Sequence, residues 1–366
     1  MIIKNGLVFN EDCKFEQKDV YIENGIIVST IDEVSDKTEI DAQGNYVIPG
    51  LIDTHTHGAM GYDFCDKDVE GIKAIAKYLK SQGVTAFCPT SMTLQEEVLK
   101  EIFITAKENL PKDCANIVGI HMEGPFISKE KKGAQNETFI SNPKVDVFEN
   151  LNNCCDGMIK LVTMAPELEG GIEFIKEVAG KTRISVGHTT ADYDKATEAF
   201  EAGATRTTHL FNAMPAFSHR DPSVVGASFD NEDVFVELIC DGIHIHPSVI
   251  RATFKMYSDE RVVLISDCIR ATGMKDGIYE LGGQRVTVEN KKAVLDDGTI
   301  AGSSTTLFDC MKKAVSFGIP LESAIKSCTK TAARSIDVYD KMGSISVGKL
   351  ANIVIMDKDL QVKQVI

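Results

Sequence analysis

Apolar residues recur along this chain in two rhythms. Eight short runs, most of them rich in β-branched residues, fall at 46–52, 84–88, 117–122, 160–164, 183–187, 204–210, 234–240 and 261–266. Between them, apolar side chains repeat at helical spacing: 72, 75, 76 and 79 within 69–82, then 98, 99, 102, 103 and 106 within 94–110, with 172–179 and 193–202 behaving alike. A short, continuous apolar run reads as a strand buried on both faces, and a 3.6-residue repeat reads as an amphipathic helix packed against it. Their alternation predicts an α/β protein with a parallel sheet. Eight such units predict a TIM-like (β/α)8 barrel, whose chemistry belongs at the C-terminal strand ends.

The two ends break the rhythm. Residues 1–9 and 20–31 are strand-like, with turn residues such as Glu23-Asn24-Gly25 among them, and 343–349 and 351–357 are similar. The simplest arrangement pairs both ends into one small β-sandwich domain, 1–48 plus 340–366, beside a barrel domain at 49–339. Residues 277–299 read as a β-hairpin inserted after the eighth strand, with turns at Gly282-Gly283 and Asp297-Gly298.

Candidate chemistry collects at the predicted strand ends. The first run leads into His55 and His57, which share one face because strand side chains alternate. Later runs end at His121 and Glu123, at His188, at His209, at Asp241 with His244 and His246, and at Asp267. Seven of the eight histidines lie at or near these positions, a grouping that composition alone does not produce. Imidazoles with carboxylates suit zinc, iron(II) or manganese better than calcium or magnesium. His121 reads equally as a ligand or as a partner behind one, and His246, followed by Pro247, as a loop-shaping residue. Asp267, on the last strand, is placed to take a proton from water and return it to a leaving group, although a plain ligand or a helix cap is its bland alternative.

The 366 residues carry a net charge of −15, which argues against a nucleic-acid surface. The start resembles no signal peptide, and no run approaches a membrane span. The ten cysteines are scattered, several of them in apolar runs, so reduced thiols in a cytoplasmic protein are expected.

With these residues assembled, the chain resembles the amidohydrolase superfamily, and within it the branch that deacetylates N-acetylated hexosamine 6-phosphates. The resemblance runs essentially end to end: P-G-L-I-D-T-H-T-H-G at 49–58, H-M-E-G-P-F at 121–126, K-K-G-A-Q-N at 131–136, G-H-T at 187–189, T-H-L-F-N-A-M at 208–214, D-G-I-H at 241–244, S-D at 266–267 and A-G-S at 301–303. It implies Glu123, His188 and His209 as the main metal site, with a second divalent metal held by His55, His57 and Asp267 and bridged by Glu123. It further implies Asp267 and His244 as catalytic groups. Asn212, Ala213 and Arg220 would bind the phosphate, with Arg220 reaching a neighbouring subunit's site in a homodimer. Ala134, Gln135, Asp241, Gly242, Ile243, His244, Ile300, Ala301 and Gly302 would contact the sugar. Gln135 stands where some relatives carry a histidine, so it can donate a hydrogen bond to a developing oxyanion but no positive charge. The competing readings are the galacto epimer as substrate, another amidohydrolase such as a cyclic-amide hydrolase or a deaminase, and a non-catalytic binding protein.

Overall fold

The computed structural model describes residues 1–107, 110–111 and 113–366. Its centre is a set of parallel strands. Six pair in chain order: Ile120–Glu123, Ile159–Met164, Arg183–Val186, Arg206–Thr207, Phe235–Ile239 and Val262–Ile265. Three more, Leu51–Thr56, Val84–Pro89 and Asn116–Ile117, form a second parallel sheet. Single parallel bridges, Thr90 to His121 and Thr56 to Cys268, join the two sheets at either side. The strand residues are almost all buried, as continuous apolar runs require when both faces are covered.

Helices lie between the strands where the apolar spacing placed them: Val69–Ser81, Glu96–Thr105, Gly171–Val178 and Tyr193–Glu201. Asp68 caps the first by accepting from the Glu70 amide, and Ile72, Ile75, Ala76 and Leu79 form its buried stripe. The second was expected over 94–110, but residues 108 and 109 of that span lie outside the described ones. The main apolar core runs from Phe9 and Ile48 to Val354 and Met356, and a second cluster packs Ile52, Ala86, Ile239, Val263 and Ile265 against Ala332 and Ala333.

The first apolar run, 46–52, divides in two. Tyr46–Pro49 pairs with Ile353–Met356 near the C-terminus, while Leu51–Thr56 joins the parallel sheet. Gly50 marks the break: a Cβ there would sit 2.1 Å from Thr85 Oγ1, so the crossing admits no side chain. Both chain ends enter one seven-stranded sheet, in the order Val362–Val365, Ile353–Met356, Tyr46–Pro49, Ile2–Phe9, Phe15–Glu23 and Ile26–Val28, with Glu39–Asp41 also on Ile2–Phe9. The segment 277–299 is three-stranded rather than a simple hairpin: Gly277–Leu281, Gln284–Glu289 and Lys292–Leu295. Its first turn is Gly282-Gly283, and the second falls at Asn290-Lys291, both left-handed, which sequence inspection did not mark. The face of this insertion packs Leu281, Val286 and Leu295 over Ala134, Ile269 and Ala301.

Candidate metal centre and pocket

Glu123, the last residue of its strand, is the hub of the site. Its Oε1 lies 3.3 Å from His188 Nε2, 3.3 Å from His209 Nε2 and 3.4 Å from His55 Nε2. Its Oε2 lies 3.4 Å from His57 Nε2. Asp267 Oδ1 stands 3.3 Å from His57 Nε2 and 3.5 Å from His55 Nε2. All six side chains are buried. Two overlapping triads, Glu123–His188–His209 and His55–His57–Glu123, therefore share one carboxylate.

The bonding inside the cluster is incomplete in the way a cation would complete. His188 and His209 point their Nε2 atoms at each other across 3.1 Å, beside the same carboxylate oxygen. His55 Nε2 and Glu123 Oε1 are buried without a hydrogen-bond partner. Each such orphan costs about 1–3 kcal/mol unless something satisfies it. The donor set, imidazole nitrogens with carboxylate oxygens, fits a divalent transition metal or zinc.

The backs of three of the four rings are held, His209 Nδ1 being buried without a partner. His57 Nδ1 faces Thr90 O at 3.1 Å, His188 Nδ1 faces Lys131 O at 2.8 Å, and His55 Nδ1 faces Glu237 Oε2 at 3.0 Å. These contacts leave the Nε2 atoms aimed inward. His188, His209 and Asp267 all have positive φ, at 47°, 28° and 49°. Non-glycine residues in that region cost energy and cluster at functional sites. Asp267 is fixed there from both sides, its N–H donating to His55 O and its carbonyl accepting from Ser303 N.

The electrostatics of the cluster follow from burial and proximity. Burial alone would lower the imidazole pKa of His57, but hydrogen bonds to Asp267 and Glu123 raise it to about 9. Burial opposes ionisation of Glu123 and Asp267, yet the surrounding imidazoles hold both below the ordinary carboxylate range. Asp267 is therefore ionised at neutral pH, the form that accepts a proton. His244 is buried, which lowers its pKa, but Asp241 raises it above the usual value through a 2.7 Å contact to Nδ1.

A cavity of about 520 Å³ opens over the cluster, within the range of small-molecule sites at roughly 300–1,000 Å³. His57, Glu123, His188, His209 and Asp267 form its floor; Ala134, Gln135, Asn212, Ala213, His244, Ile300 and Gly302 are in its walls. Asp241 stands behind His244, accepting from the Ile243 and His244 amides as well as the ring. A Cβ at Gly242 would lie 2.9 Å from the Phe317 ring, and Ala301 is buried in the apolar cluster beneath the insertion. Arg220 is exposed on its loop and does not line this chain's own cavity.

Three placements differ from a simple motif reading. Gln135 donates from Nε2 to Glu123 Oε2 at 2.8 Å and accepts the Thr93 N–H at 2.7 Å, so its amide orients the shared carboxylate. His121 lies below the cluster: Nε2 meets Thr163 Oγ1 at 2.7 Å and its ring packs edge-on against His55. His246 caps the helix Pro247–Arg261 by accepting from Ser248 N. Glu237 and Arg206 are two buried charges that sequence reading missed. A lone glutamate inside the apolar run 234–240 was the available signal.

Comparisons with known proteins agree with this geometry. The amidohydrolase family model matches residues 46–366. The chain is 35% identical over 373 residues to the N-acetylglucosamine-6-phosphate deacetylase of Bacillus subtilis, covering 99% of this chain and 91% of that protein. The crystal structure of N-acetylglucosamine-6-phosphate deacetylase from Pasteurella multocida is similar with a TM-score of 0.93 and 30% identity, covering 100% of this chain and 97% of the other. A Mycobacterium smegmatis N-acetyl-D-glucosamine-6-phosphate deacetylase mutant in complex with N-acetyl-D-glucosamine-6-phosphate gives a TM-score of 0.91 at 28% identity, covering 100% and 97%.

Proposed function

The chain belongs to the amidohydrolase family, and on that premise we propose that it hydrolyses the acetamide of N-acetylglucosamine 6-phosphate, releasing acetate and glucosamine 6-phosphate. The observation that carries this reading is the convergence of His55, His57, Glu123, His188, His209 and Asp267 beneath one sugar-sized cavity. The isolated parallel bridges at Thr90 and Thr56 support closure of the strands into a (β/α)8 barrel over 49–339. The paired ends, 1–48 and 340–366, then make up the small β domain, whose single seven-stranded sheet would have to fold over on itself to form the expected sandwich. All ten cysteines are unpaired thiols, which suits the reducing cytoplasm.

Glu123, His188 and His209 would hold one divalent metal, with His55, His57 and Asp267 available for a second. When bound, such an ion polarises a carbonyl oxygen and makes water a better nucleophile at neutral pH. Asp267 accepts the proton of the attacking water as the C–O bond forms, and then delivers it to the nitrogen, whose C–N bond breaks to release the amine and acetate. His244, its Nδ1–H committed to ionised Asp241, turns its other nitrogen to the cavity; Asp241 favours the protonated ring, the form in which that nitrogen donates. Gln135 keeps Glu123 from rotating. Arg220 supplies a bidentate fork for the substrate phosphate in a neighbouring subunit's site, a role that accords with its exposure outside its own cavity.

The test is product analysis. Purified metal-loaded protein with N-acetylglucosamine 6-phosphate is expected to yield acetate and glucosamine 6-phosphate in equal amounts. The galacto epimer and the unphosphorylated sugar run beside it. Turnover confined to either of those two would overturn the substrate assignment.

A further inference from the structure

Glu237 has no part in the reaction as described, yet it is wholly buried within 3.1 Å of two residues of the cluster. It sits on Phe235–Ile239. Its Oε2 faces His55 Nδ1 at 3.0 Å and accepts the His209 backbone N–H at 3.1 Å. Its Oε1 accepts from Arg206 Nη2 at 2.6 Å. Arg206 is itself buried and anchored, donating to Thr54 Oγ1 at 2.9 Å and to Ser335 Oγ. We propose that Glu237 is a positioning residue that fixes the ring and tautomer of His55, and so sets the metal affinity of the His55–His57 half of the site; this rests on the metal-hydrolase reading above.

The chemistry is one-directional. A carboxylate paired with a guanidinium stays ionised and can only accept hydrogen bonds. His55 Nδ1 must then carry a proton, which leaves the Nε2 lone pair for a cation. That Nε2 is the atom 3.4 Å from Glu123 Oε1 and 3.5 Å from Asp267 Oδ1. The corresponding partners of His57 and His188 are neutral carbonyls, of Thr90 and Lys131. A bond to a charged acceptor is roughly twice as strong and makes the imidazole a better donor to metal. Through the His209 amide the same oxygen also steadies a residue held at φ 28° in the other triad.

Arg206 makes the assignment testable. Its fork requires an oxygen opposite it, so in Glu237→Gln the amide oxygen turns to Arg206 and the NH2 faces His55 Nδ1. His55 can accept that bond only by moving its own proton to Nε2, which then points N–H into the site. Replacing Arg206 as well, in Arg206→Met with Glu237→Gln, frees the amide oxygen to turn back toward His55.

The experiment titrates zinc against a chromogenic chelator for the wild type, Glu237→Gln and the double variant. Thermal melts of the metal-free proteins and 15N spectra of labelled histidines run on the same samples. Expected for Glu237→Gln is a fall of about 10–100-fold in zinc affinity at the His55–His57 half, and a smaller fall at the Glu123–His188–His209 half, where only the His209 N–H loses its acceptor. The His55 Nδ1 proton disappears from the spectrum, and the double variant recovers part of the affinity. A merely structural role would make the double variant worse than the single one. Wild-type affinity and an unchanged Nδ1 proton in Glu237→Gln, or no recovery in the double variant, would overturn the proposal. A wild type that takes up no zinc would refute the metal-hydrolase reading instead, and the Nδ1 proton of His55 in metal-free protein would then decide the role of Glu237.

Discussion

Replacing Asp267 by Asn separates proton transfer from metal binding. The amide keeps the shape of the side chain but neither accepts a proton from water nor returns one to the amine. Acid–base catalysis by a positioned group contributes about 10²–10⁴-fold. One carboxylate serves both half-steps here, so the loss falls near the top of that range: about 10⁴-fold in kcat, or about 5 kcal/mol of barrier. Asp267 is not in the Glu123–His188–His209 triad, so the variant is expected to hold metal there as the wild type does. A second readout follows from the same distances. At 3.3 Å from His57 Nε2, a unit charge is worth about 5 kcal/mol at an effective dielectric near 20. Without it, metal-free His57 gives up its proton more readily, and metal uptake by the variant releases fewer protons. The assay is acetate release on samples of known metal content, with proton release followed by calorimetry in buffers of different ionisation heat. A kcat within about tenfold of wild type would refute the reasoning. So would an activity loss tracked by metal loss from the triad, which would make Asp267 a ligand alone.

Other perturbations probe other parts of the site. Arg220→Ala should raise KM for the phosphorylated sugar by about 10–100-fold while leaving the unphosphorylated sugar unaffected, as a lost charged hydrogen bond of roughly 1.5–3 kcal/mol requires; equal effects on both would dismiss the phosphate contact. Metal affinity of the His55–His57 half should rise at least about tenfold per pH unit from neutrality and level off near 9, because the proton that His57 holds to about 9 must leave before its Nε2 can bind; a flat titration of that half would count against His57 as a ligand. With the sign the same way, the stability this raised pKa gives the metal-free fold is present below about 6.5 and lost as pH climbs through about 9, which urea melts can follow. Gln135→Ala strips both the bond to Glu123 Oε2 and the acceptor for the Thr93 amide, so metal affinity and stability should fall together, by about 1–3 kcal/mol in the melt; unchanged metal affinity would return Gln135 to a purely substrate-facing role.

The arrangement of the site was legible from sequence wherever period and neighbours did the work. His55 and His57 could be placed on one face because a strand alternates, and His188, His209 and Asp267 because each follows an apolar run at the point where a parallel strand ends. The helices at 69–82 and 193–202 announced themselves by their stripes. What was hidden depends on contacts between strands far apart in the chain. Glu237 and His55 are separated by 182 positions, and nothing near either one names the other. Gln135 likewise reads as a cavity residue until Thr93, 42 positions away, is seen donating to it. The strand Val362–Val365 was missed because its alternation is mostly polar, as befits an edge strand of the terminal sheet. The turn at Asn290-Lys291 carries no glycine, which removed the usual cue.

The most direct measurement is kcat/KM for acetate release from N-acetylglucosamine 6-phosphate, on protein whose metal is counted in the same sample, before and after stripping with a chelator. Efficient turnover that disappears with the metal and returns on readdition is the expected result. Full metal occupancy without turnover of this sugar phosphate would contradict the account, because the same side chains would then be holding a metal for some other task.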